Sequence, residues 1–444
     1  MTDEYLPLGA SVANARIGDA SGAAQEAIEQ GVRASLLCTL FGVEREQWVW
    51  PFPALARSEA ARSGVTVRML ASLLEPLGGI GRLGTAAGAS DLDPMDPGPA
   101  HTVLPATLAA CVAHEAGDAG AGTDETVRSA VLAGVEAAWA FRCAITGTRP
   151  GVGFHSPGVY GTLAAAASGA RMLGLDAAAC ANALAIALTR ASGLATNSAA
   201  TTIGLTHFGW GALHGLEAAL LASQGWDASH DFRRGLATLF GEDRVAPERL
   251  NAPGSTAAES LVFKRYPCNI YLNLLVAILE DVEGGPVDRI DVALPWVPHL
   301  DNPAPRDLRQ ARNSAQAAAA IAGAGDISYA AFSGPPGPWQ PRPEVARLLP
   351  NVHLTMDKDA PTGLKNAVVS VRAWRSGRVV LDAERAMRDL RGWGVEHARR
   401  LAGADGAAGV REIYGDSHLR AFAAIRARLD SGAATRAALT GHRG

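Results

Sequence analysis

Small and apolar residues recur at helical spacing through most of the first 245 residues, with polar residues returning on one face. Asp124 and Asp176 precede two of these stretches as N-caps would, and Gly174 and Gly193 follow two of them as C-caps would. Because alanine and glycine let helix backbones approach closely, the pattern predicts a compact helical bundle. The clearest predicted helices are Ser129–Ala144, Gly161–Leu173, Ala177–Ala191 and Gly209–Ser223.

The pattern changes after Asn251–Gly254, where short β-type runs appear between Pro- and Gly-rich turns. Helical spacing takes over again from about Val395. The segment between these points therefore indicates a smaller α+β unit within an otherwise helical chain. Its predicted strands are Arg289–Leu294, Val352–Met356, Ala367–Trp374 and Arg378–Asp382, and its predicted helices are Cys268–Val282 and Arg306–Ile321.

These patterns together predict a mainly α protein, in which a large all-helical domain carries an inserted, smaller α+β domain. The predicted boundaries are residues 1–258 and 397–444 for the helical domain and residues 259–396 for the α+β domain. We expect a ligand site in the cleft between the two domains, because pockets form preferentially at domain interfaces.

Composition and charge narrow the classes of partner. The 444 residues are 48% hydrophobic and 19% charged, and 40 basic against 44 acidic residues give a net charge of −4. That balance favours neither nucleic acid nor a membrane surface as a partner, but it is compatible with a local cationic pocket for a small anion. Five cysteines without a CxxC pair favour a reduced, cytoplasmic protein. We expect no signal peptide and no membrane span.

Three short motifs suggest cofactor or metal sites but lack the surroundings that such sites need. Gly79–Gly84 (GIGRLG) fits GxGxxG, yet helical rather than strand spacing precedes it, so we predict a flexible loop. Asp91–Asp96 lacks the Gly and the Glu of a calcium-binding loop. His207 and His214 share a helix face with no third metal ligand evident beyond Glu217, so helix packing is the favoured interpretation. We expect neither a metal nor an organic cofactor.

Two other sites carry residues suited to binding an anion. His155 lies in a Gly- and Pro-bracketed turn before a helix. Its imidazole either caps the helix backbone or is presented at the helix N-terminus, where the dipole lowers its pKa or favours a nearby anion. Lys264 and Arg265 lie at the predicted domain junction, where they form a solvated face or hold a substrate carboxylate.

Several stretches carry a family signature. They are Asp91–Ala106 (DLDPMDPGPAHTVLPA), Gly151–Leu220 with GFHSPGVYGTLAAAASGARMLGL and ALAIALTRASG, Phe263–Cys268 (FKRYPC) and Gln310–Ser314. Together they resemble the MmgE/PrpD family, whose members dehydrate, decarboxylate or epimerise small carboxylic acids. The resemblance covers most of the chain and is weak over residues 1–80.

The resemblance implies an α+β lid inserted in a helical domain, a homodimer, and a cleft that binds a small anionic carboxylate without a metal or an organic cofactor. It also implies four catalytic residues, Asp91, His101, His155 and Lys264. One histidine would act as base and the other as acid, in an order that stays open. Lys264 would bind carboxylate or enolate charge, and Asp91 would orient a histidine.

Three positions depart from the family pattern. A threonine of the family is Met95 here, a lysine is Gly204 and a histidine is Asn269. Because each substrate carboxylate should pair with a cationic side chain, these losses make tricarboxylate substrates less expected. Met95 and Gly204 would make room for a bulkier, more apolar substrate. The substrate-binding candidates are therefore Met95, Gly204 and Asn269, together with Arg265 and His207.

The resulting hypothesis is a cofactor-independent lyase that dehydrates a hydroxylated carboxylic acid, in specialised metabolism. Decarboxylation of an unsaturated di- or tricarboxylate and epimerisation at an acidic carbon are the alternatives, since all three reactions pass through carbanion-like intermediates. A non-catalytic binding paralogue is the alternative from another class of protein, because a fold alone does not fix a function.

Overall fold

A computed structural model describes residues 6–45, 80–81, 83–88, 123–146, 153–197, 201, 203–251, 257–334, 337–361, 366–389, 396–402, 410, 415 and 417–428. The chain forms two compact units, Met1–Leu261 with Arg411–Gly444, and Val262–Val410. The second unit therefore lies between two segments of the first along the sequence. Its insertion as a lid, with boundaries after residues 258 and 396, remains a prediction.

The described part of the first unit is helical, and the second unit contains one small sheet. The prediction of a mainly α protein is confirmed for these residues. The helices of the first unit are α1 (Leu6–Asn14), α2 (Gly22–Arg45), α3 (Asp124–Cys143), α4 (Ser156–Met172), α5 (Ala177–Leu188), α6 (Ile203–Ser223) and α7 (Phe232–Phe240). Residues 80–81, 83–88 and 418–428 are also helical. Short 3₁₀ helices are Ile17–Asp19, Ala195–Asn197, Glu242–Arg244, Pro247–Asn251 and Ala258–Ser260.

The helix ends only partly match the predicted caps. Asp176 caps α5 as predicted, with its carboxylate accepting a hydrogen bond from the Ala179 amide at 2.8 Å. The prediction for Asp124 is wrong by one residue, because Thr123 is the N-cap of α3. The prediction for Gly193 is also wrong, since α5 ends at Leu188. Gly193 has a φ of 109° and lies in the loop that leads to α6.

Close helix packing is confirmed in the core formed by α3, α4, α5 and α6. A Cβ built on Gly215 of α6 would lie 2.4 Å from the Cβ of Ala165 and 2.6 Å from the carbonyl oxygen of Thr162, both on α4. Aromatic side chains fill the wider gaps, as where the rings of Phe141 and Phe232 meet edge to face at 5.4 Å. Small residues thus set the α4–α6 separation.

The GxGxxG motif is not the predicted flexible loop, because its described residues are helical. Its glycines instead allow close contact with α6. A Cβ on Gly84 would lie 2.9 Å from the Phe208 carbonyl oxygen, and one on Gly88, four residues beyond the motif, would lie 2.5 Å from the Phe208 ring. In return, a Cβ on Gly209 would lie 2.2 Å from the Gly81 carbonyl oxygen. The motif therefore serves helix packing beside the first turns of α6.

The second unit is a four-stranded sheet with helices. Its strands are β1 (Arg289–Pro295), β2 (Val352–Asp357), β3 (Val368–Arg375) and β4 (Arg378–Ala386), in the order β2-β1-β3-β4. β1 is parallel to β2, and the other pairs are antiparallel. Its helices are α8 (Ile270–Leu279), α9 (Leu308–Arg312), α10 (Ala315–Gly323), α11 (Tyr329–Phe332) and α12 (Pro343–Leu348), with 3₁₀ helices Pro298–Leu300, Leu349–Asn351 and Met387–Asp389. Residues 396–402 are helical as well.

All four predicted strands are confirmed, with β4 four residues longer than expected. The turn between β3 and β4 holds Ser376 and Gly377 at φ values of 51° and 73°, which suits a two-residue hairpin. The predicted helix Arg306–Ile321 is instead two helices, because Ser314 breaks it and caps α10 through its hydroxyl. In the described residues, no helix is long and apolar enough to cross a membrane.

Candidate active site

The described structure includes some of the predicted site residues. Asp91, Met95 and His101 lie outside the described residues. His155, Gly204 and His207 belong to the first unit, whereas Lys264, Arg265 and Asn269 belong to the second.

His155 is fixed where the chain enters α4. It is the N-cap residue of that helix, and its backbone amide donates to the Gly193 carbonyl at 2.8 Å. Two further backbone bonds join the same segments, from Ser192 to Gly158 and from Ala195 to Gly153. The His155 side chain accepts no hydrogen bond from the described first turn of α4. The interpretation of His155 as a backbone cap is therefore wrong, and its imidazole is presented at the helix N-terminus.

The imidazole of His155 is paired with that of His207. The two Nδ1 atoms lie 2.9 Å apart, and the ring centroids lie 5.1 Å apart with the rings tilted by 57°. A hydrogen bond at this distance requires a proton on one Nδ1 and a lone pair on the other. The sequence separation of 52 positions between the two histidines explains why the sequence did not reveal this pair.

His207 is the more buried member of the pair, with 3% of its surface exposed. Burial lowers its pKa, because the charged imidazolium loses hydration. The ring of Phe208 meets the His155 ring edge-on at 5.9 Å, and Trp210 lies 6.2 Å from the His207 ring. The pair thus combines a buried imidazole of lowered pKa with a half-buried one at a helix terminus.

Gly193 leaves space for the His207 ring. A Cβ at this position would lie 3.1 Å from the Nδ1 of His207 and 3.3 Å from its Cε1. The φ of 109° already disfavours other residues at this position. The loop that receives the His155 amide therefore also forms one wall of the His207 site.

His214, three residues before Glu217 on α6, lies in a different environment from His207. Glu217 forms an ion pair with Arg190. Burial lowers the pKa of His214, and the Arg190 charge adds to that effect. In the described residues, no group of three or more His, Cys, Asp or Glu side chains is placed to hold a metal ion.

Gly204 is a buried residue in the first turn of α6. Its amide donates to the Thr201 carbonyl at 3.3 Å. The position where the family resemblance expects a lysine therefore supplies no side-chain charge to the start of this helix.

Lys264 is buried in the second unit, with 5% of its surface exposed. The loop that follows it is shaped by Asn273, a fully buried residue of α8. The Asn273 side-chain oxygen accepts from the amides of Arg265 and Tyr266, at 2.5 and 2.8 Å. Its amide nitrogen donates to the carbonyls of Tyr266 and Cys268, each at 3.1 Å.

Asn273 was missed by sequence reasoning, although a signal existed. It is a polar residue in the apolar helix sequence IYLNLLVAIL. A buried amide side chain nearly always has hydrogen-bond partners, and the nearest loop rich in backbone groups is the FKRYPC motif.

The Arg265 side chain contacts a charged cluster within the second unit. Its guanidinium lies 3.3 Å from the Nδ1 of His397 and 3.8 Å from a Glu280 carboxylate oxygen. The Tyr266 hydroxyl donates to Glu280 at 2.5 Å, and Arg400 forms an ion pair with the same carboxylate at 2.8 Å. A substrate-binding role for Arg265 remains a prediction.

Asn269 is the N-cap of α8. Its side-chain oxygen accepts from the Tyr271 amide at 3.2 Å, and its side-chain nitrogen donates to Asn313 at 3.3 Å. Asparagine is among the best N-cap residues, so its identity here has a local structural reason. A contact between Asn269 and substrate remains a prediction.

Comparisons with known proteins add to this geometry. A family model described as the MmgE/PrpD N-terminal domain matches residues 7–240. The chain is similar to cis-aconitate decarboxylase of Homo sapiens, with 30% identity over 223 residues, or 46% of each protein. It is similar to cis-aconitate decarboxylase of Mus musculus, with 29% identity over 228 residues, or 47% of this chain and 46% of that protein. The matched region thus spans less than half of each relative.

Proposed function

The chain belongs to the MmgE/PrpD family, and we propose that it is a lyase that dehydrates a hydroxylated carboxylic acid. In this reaction a base removes a proton next to a carboxylate, the bond to the hydroxyl on the neighbouring carbon breaks, and water leaves. The products are an unsaturated acid and one water molecule.

The observation that carries the proposal is the pair of imidazoles at the start of α4. His155 is half-buried, it is fixed by backbone bonds on both sides, and its Nδ1 lies 2.9 Å from a second imidazole nitrogen. A histidine takes up and releases protons near neutral pH, as a dehydratase requires of its base. We therefore assign proton removal to His155.

The other catalytic roles follow the family resemblance. Lys264, a buried cation, would bind a carboxylate and the negative charge that develops on it. His101 would protonate the departing hydroxyl, and Asp91 would orient a histidine. Arg265 and His207 remain candidates near the substrate.

We propose a substrate that carries fewer carboxylates than a tricarboxylate. Gly204 and Asn269 stand where the resemblance expects a lysine and a histidine, so two cationic or protonatable groups are replaced by neutral ones. Each carboxylate left without a partner would cost free energy when it loses hydration. Gly204 and Met95 would instead leave room for an apolar substituent of the substrate.

Decarboxylation is the second candidate, and the names of the human and mouse relatives favour it. In that reaction the bond between a carbon and its carboxylate breaks, carbon dioxide leaves, and the remaining carbanion takes a proton. The same histidine would deliver that proton. Epimerisation and a non-catalytic binding role remain the further alternatives.

We further propose that the protein is a cytoplasmic homodimer that acts without a metal or an organic cofactor. The family resemblance supports the dimer, and the five cysteines without a CxxC pair support the compartment. Because no metal is proposed to be needed, the protein would be assayed without added metal.

The test is proton NMR of the purified protein in D₂O with hydroxylated and unsaturated di- and tricarboxylates. New vinyl signals without loss of carbon would support dehydration, whereas a product with one carboxylate fewer would support decarboxylation. Deuterium at an α carbon without net conversion would indicate epimerisation. Binding of substrates without any turnover would contradict the lyase and favour the binding paralogue. The His155→Gln variant is the control for contaminating activity.

A further inference from the structure

We propose that His207 is a positioning residue whose Nδ1 accepts the hydrogen bond of the His155 Nδ1–H, which leaves the His155 lone pair on Nε2 to take the substrate proton. The first half of this proposal concerns a hydrogen bond within the protein and stands without a substrate. The second half rests on the proposed lyase function.

The geometry requires one histidine to donate and the other to accept. At 2.9 Å, two protonated Nδ1 atoms would repel each other, and two bare ones would place their lone pairs in contact. When the pair gains a further proton, one ring carries hydrogens on both nitrogens and can only donate. The acceptor must then be the ring that stays neutral.

Burial decides which ring stays neutral. His207 is 3% exposed, and burial lowers its pKa, whereas His155 is half-buried. The added proton therefore resides on His155, and His207 accepts. When both rings are neutral, the same hydrogen bond from the His155 Nδ1–H to His207 leaves the lone pair of His155 on Nε2. Only in this tautomer can Nε2 of His155 act as a base.

The helix dipole makes this acceptor necessary. His155 is the N-cap of α4, a 17-residue helix whose N-terminus carries partial positive charge. An imidazolium there is disfavoured unless a neighbouring group stabilises it. A lone pair on the His207 Nδ1 provides that stabilisation without adding a second charge.

The His207 ring lies close to Gly193 and Trp210. A Cβ on Gly193 would lie 3.1 Å from the His207 Nδ1, and the Trp210 and His207 ring centroids lie 6.2 Å apart. The following residue, Phe208, is held by close backbone and ring contacts to Gly84 and Gly88. Gly84 and Gly88 thus fix the turn of α6 that carries the acceptor.

His155 is the only histidine of the pair that gains and then loses a proton. Its Nε2 takes the substrate proton to form an imidazolium, while Nδ1–H remains bonded to His207. Nε2 then releases that proton to solvent, and the neutral ring is restored. His207 gains and loses no proton, which distinguishes a positioning residue from a second base.

The direct test is the tautomer of His155, measured by ¹⁵N–¹H correlation NMR on histidine-labelled protein without substrate. His155→Gln and His207→Gln assign the two sets of signals. We expect a hydrogen on Nδ1 of His155 and on Nε2 of His207. A hydrogen on Nε2 of neutral His155 would overturn the inference.

Substitution separates positioning from packing. His207→Leu removes the acceptor and keeps an apolar side chain of similar size, so kcat should fall about 10²-fold with KM changed less than about twofold. His207→Asn places an oxygen near the position of Nδ1 and should restore most of kcat and the wild-type tautomer. His214→Leu, on the same helix, is the matched control and should change kcat less than twofold.

These experiments distinguish failure of the His207 inference from failure of the proposed lyase function. If His207→Leu leaves both the His155 tautomer and kcat unchanged, His207 does not position His155. If His207→Asn is as impaired as His207→Leu, the role is packing and the inference is wrong. If the wild type converts no substrate, the lyase proposal fails, while the tautomer measurement still decides the hydrogen bond.

Discussion

Each unit of the protein buries a histidine against a site residue, but the two histidines have different neighbours. His207 faces a second imidazole, that of His155, among aromatic rings. His397 lies between the guanidinium groups of Arg265 and Arg400, which are 3.3 and 3.5 Å from its Nδ1, and its Nε2 lies 2.8 Å from the Arg265 carbonyl oxygen.

The different neighbours of His207 and His397 indicate which of the two sites can take part in proton transfer. Guanidinium groups only donate, so the Nδ1 of His397 must accept, and its Nε2–H donates to the Arg265 carbonyl. Burial lowers the pKa of His397 to about 4, and the nearby Arg265 charge acts in the same direction. His397 is therefore held neutral, with hydrogen bonds to the side chain and the backbone of Arg265. The pair in the first unit contains a ring that can gain a proton.

The largest expected effect is on His155 itself. His155→Gln removes the base and should lower kcat about 10³-fold, as loss of a general acid–base group commonly does. Circular dichroism and thermal unfolding would check that the first unit remains folded. Retention of more than a third of wild-type kcat would contradict the assignment. His230→Gln, a change of another half-buried histidine of the first unit, is the matched control.

The second effect concerns the support of the Lys264 loop. Asn273→Leu removes the side-chain hydrogen bonds to the amides of Arg265 and Tyr266 and to the carbonyls that follow Arg265, and should lower the free energy of unfolding by about 3 kcal/mol. Asn273→Asp keeps the two acceptor bonds but turns a carboxylate oxygen toward the carbonyls of Tyr266 and Cys268 in a buried site, so it should destabilise the loop as well. Urea unfolding measures both variants. Equal stability of Asn273→Leu and wild type would show that the loop does not depend on this residue.

The sequence predicted elements well where a local pattern determines them. Short β-type runs between Pro- and Gly-rich turns placed all four strands, and Asp176 marked a helix start, because both signals lie within a few residues. Contacts between distant segments were not predictable in this way. The pairing of His155 with His207 depends on how α4 and α6 pack, and nothing local to either residue reports it.

The roles of the glycines were the hardest to predict from the sequence, because they too depend on contacts between distant segments. The sequence offers a cap, a loop or a close contact for each glycine, and only tertiary packing decides between them. Gly84 and Gly88 allow contact with Phe208, and Gly193 makes room for an imidazole. For the candidate site, the sequence and the family resemblance named His155 and Lys264 but not Asn273, which supports the Lys264 loop.

The third prediction tests the neutral state of His397 through pH. Its folded pKa is about 4 against an ordinary 6.5, so the unfolded chain binds more protons between these values and stability falls as pH falls. His397 should therefore cost about 2 kcal/mol of stability at pH 5 relative to pH 8. His397→Gln should lose less stability over that range. His353→Gln, at an exposed position of β2, is the control.

The measurement is urea unfolding at several pH values between 4 and 8. If His397→Gln and wild type lose stability in parallel, His397 is not held neutral. The two buried histidines would then differ less than their neighbours suggest.

The smallest effect isolates the contact between Gly193 and the His207 ring. Gly193→Ala and Gly174→Ala both force an alanine into a positive φ, 109° and 66°, and each should cost about 1 kcal/mol of stability. Only at Gly193 does the new Cβ meet the imidazole, because nothing lies within 4 Å of a Cβ at Gly174. We therefore expect Gly193→Ala alone to lower kcat, by about tenfold, as the ring shifts from its partner. Equal kcat values in the two variants would mean that the His207 ring adapts, and that its position depends on α6 packing rather than on this loop.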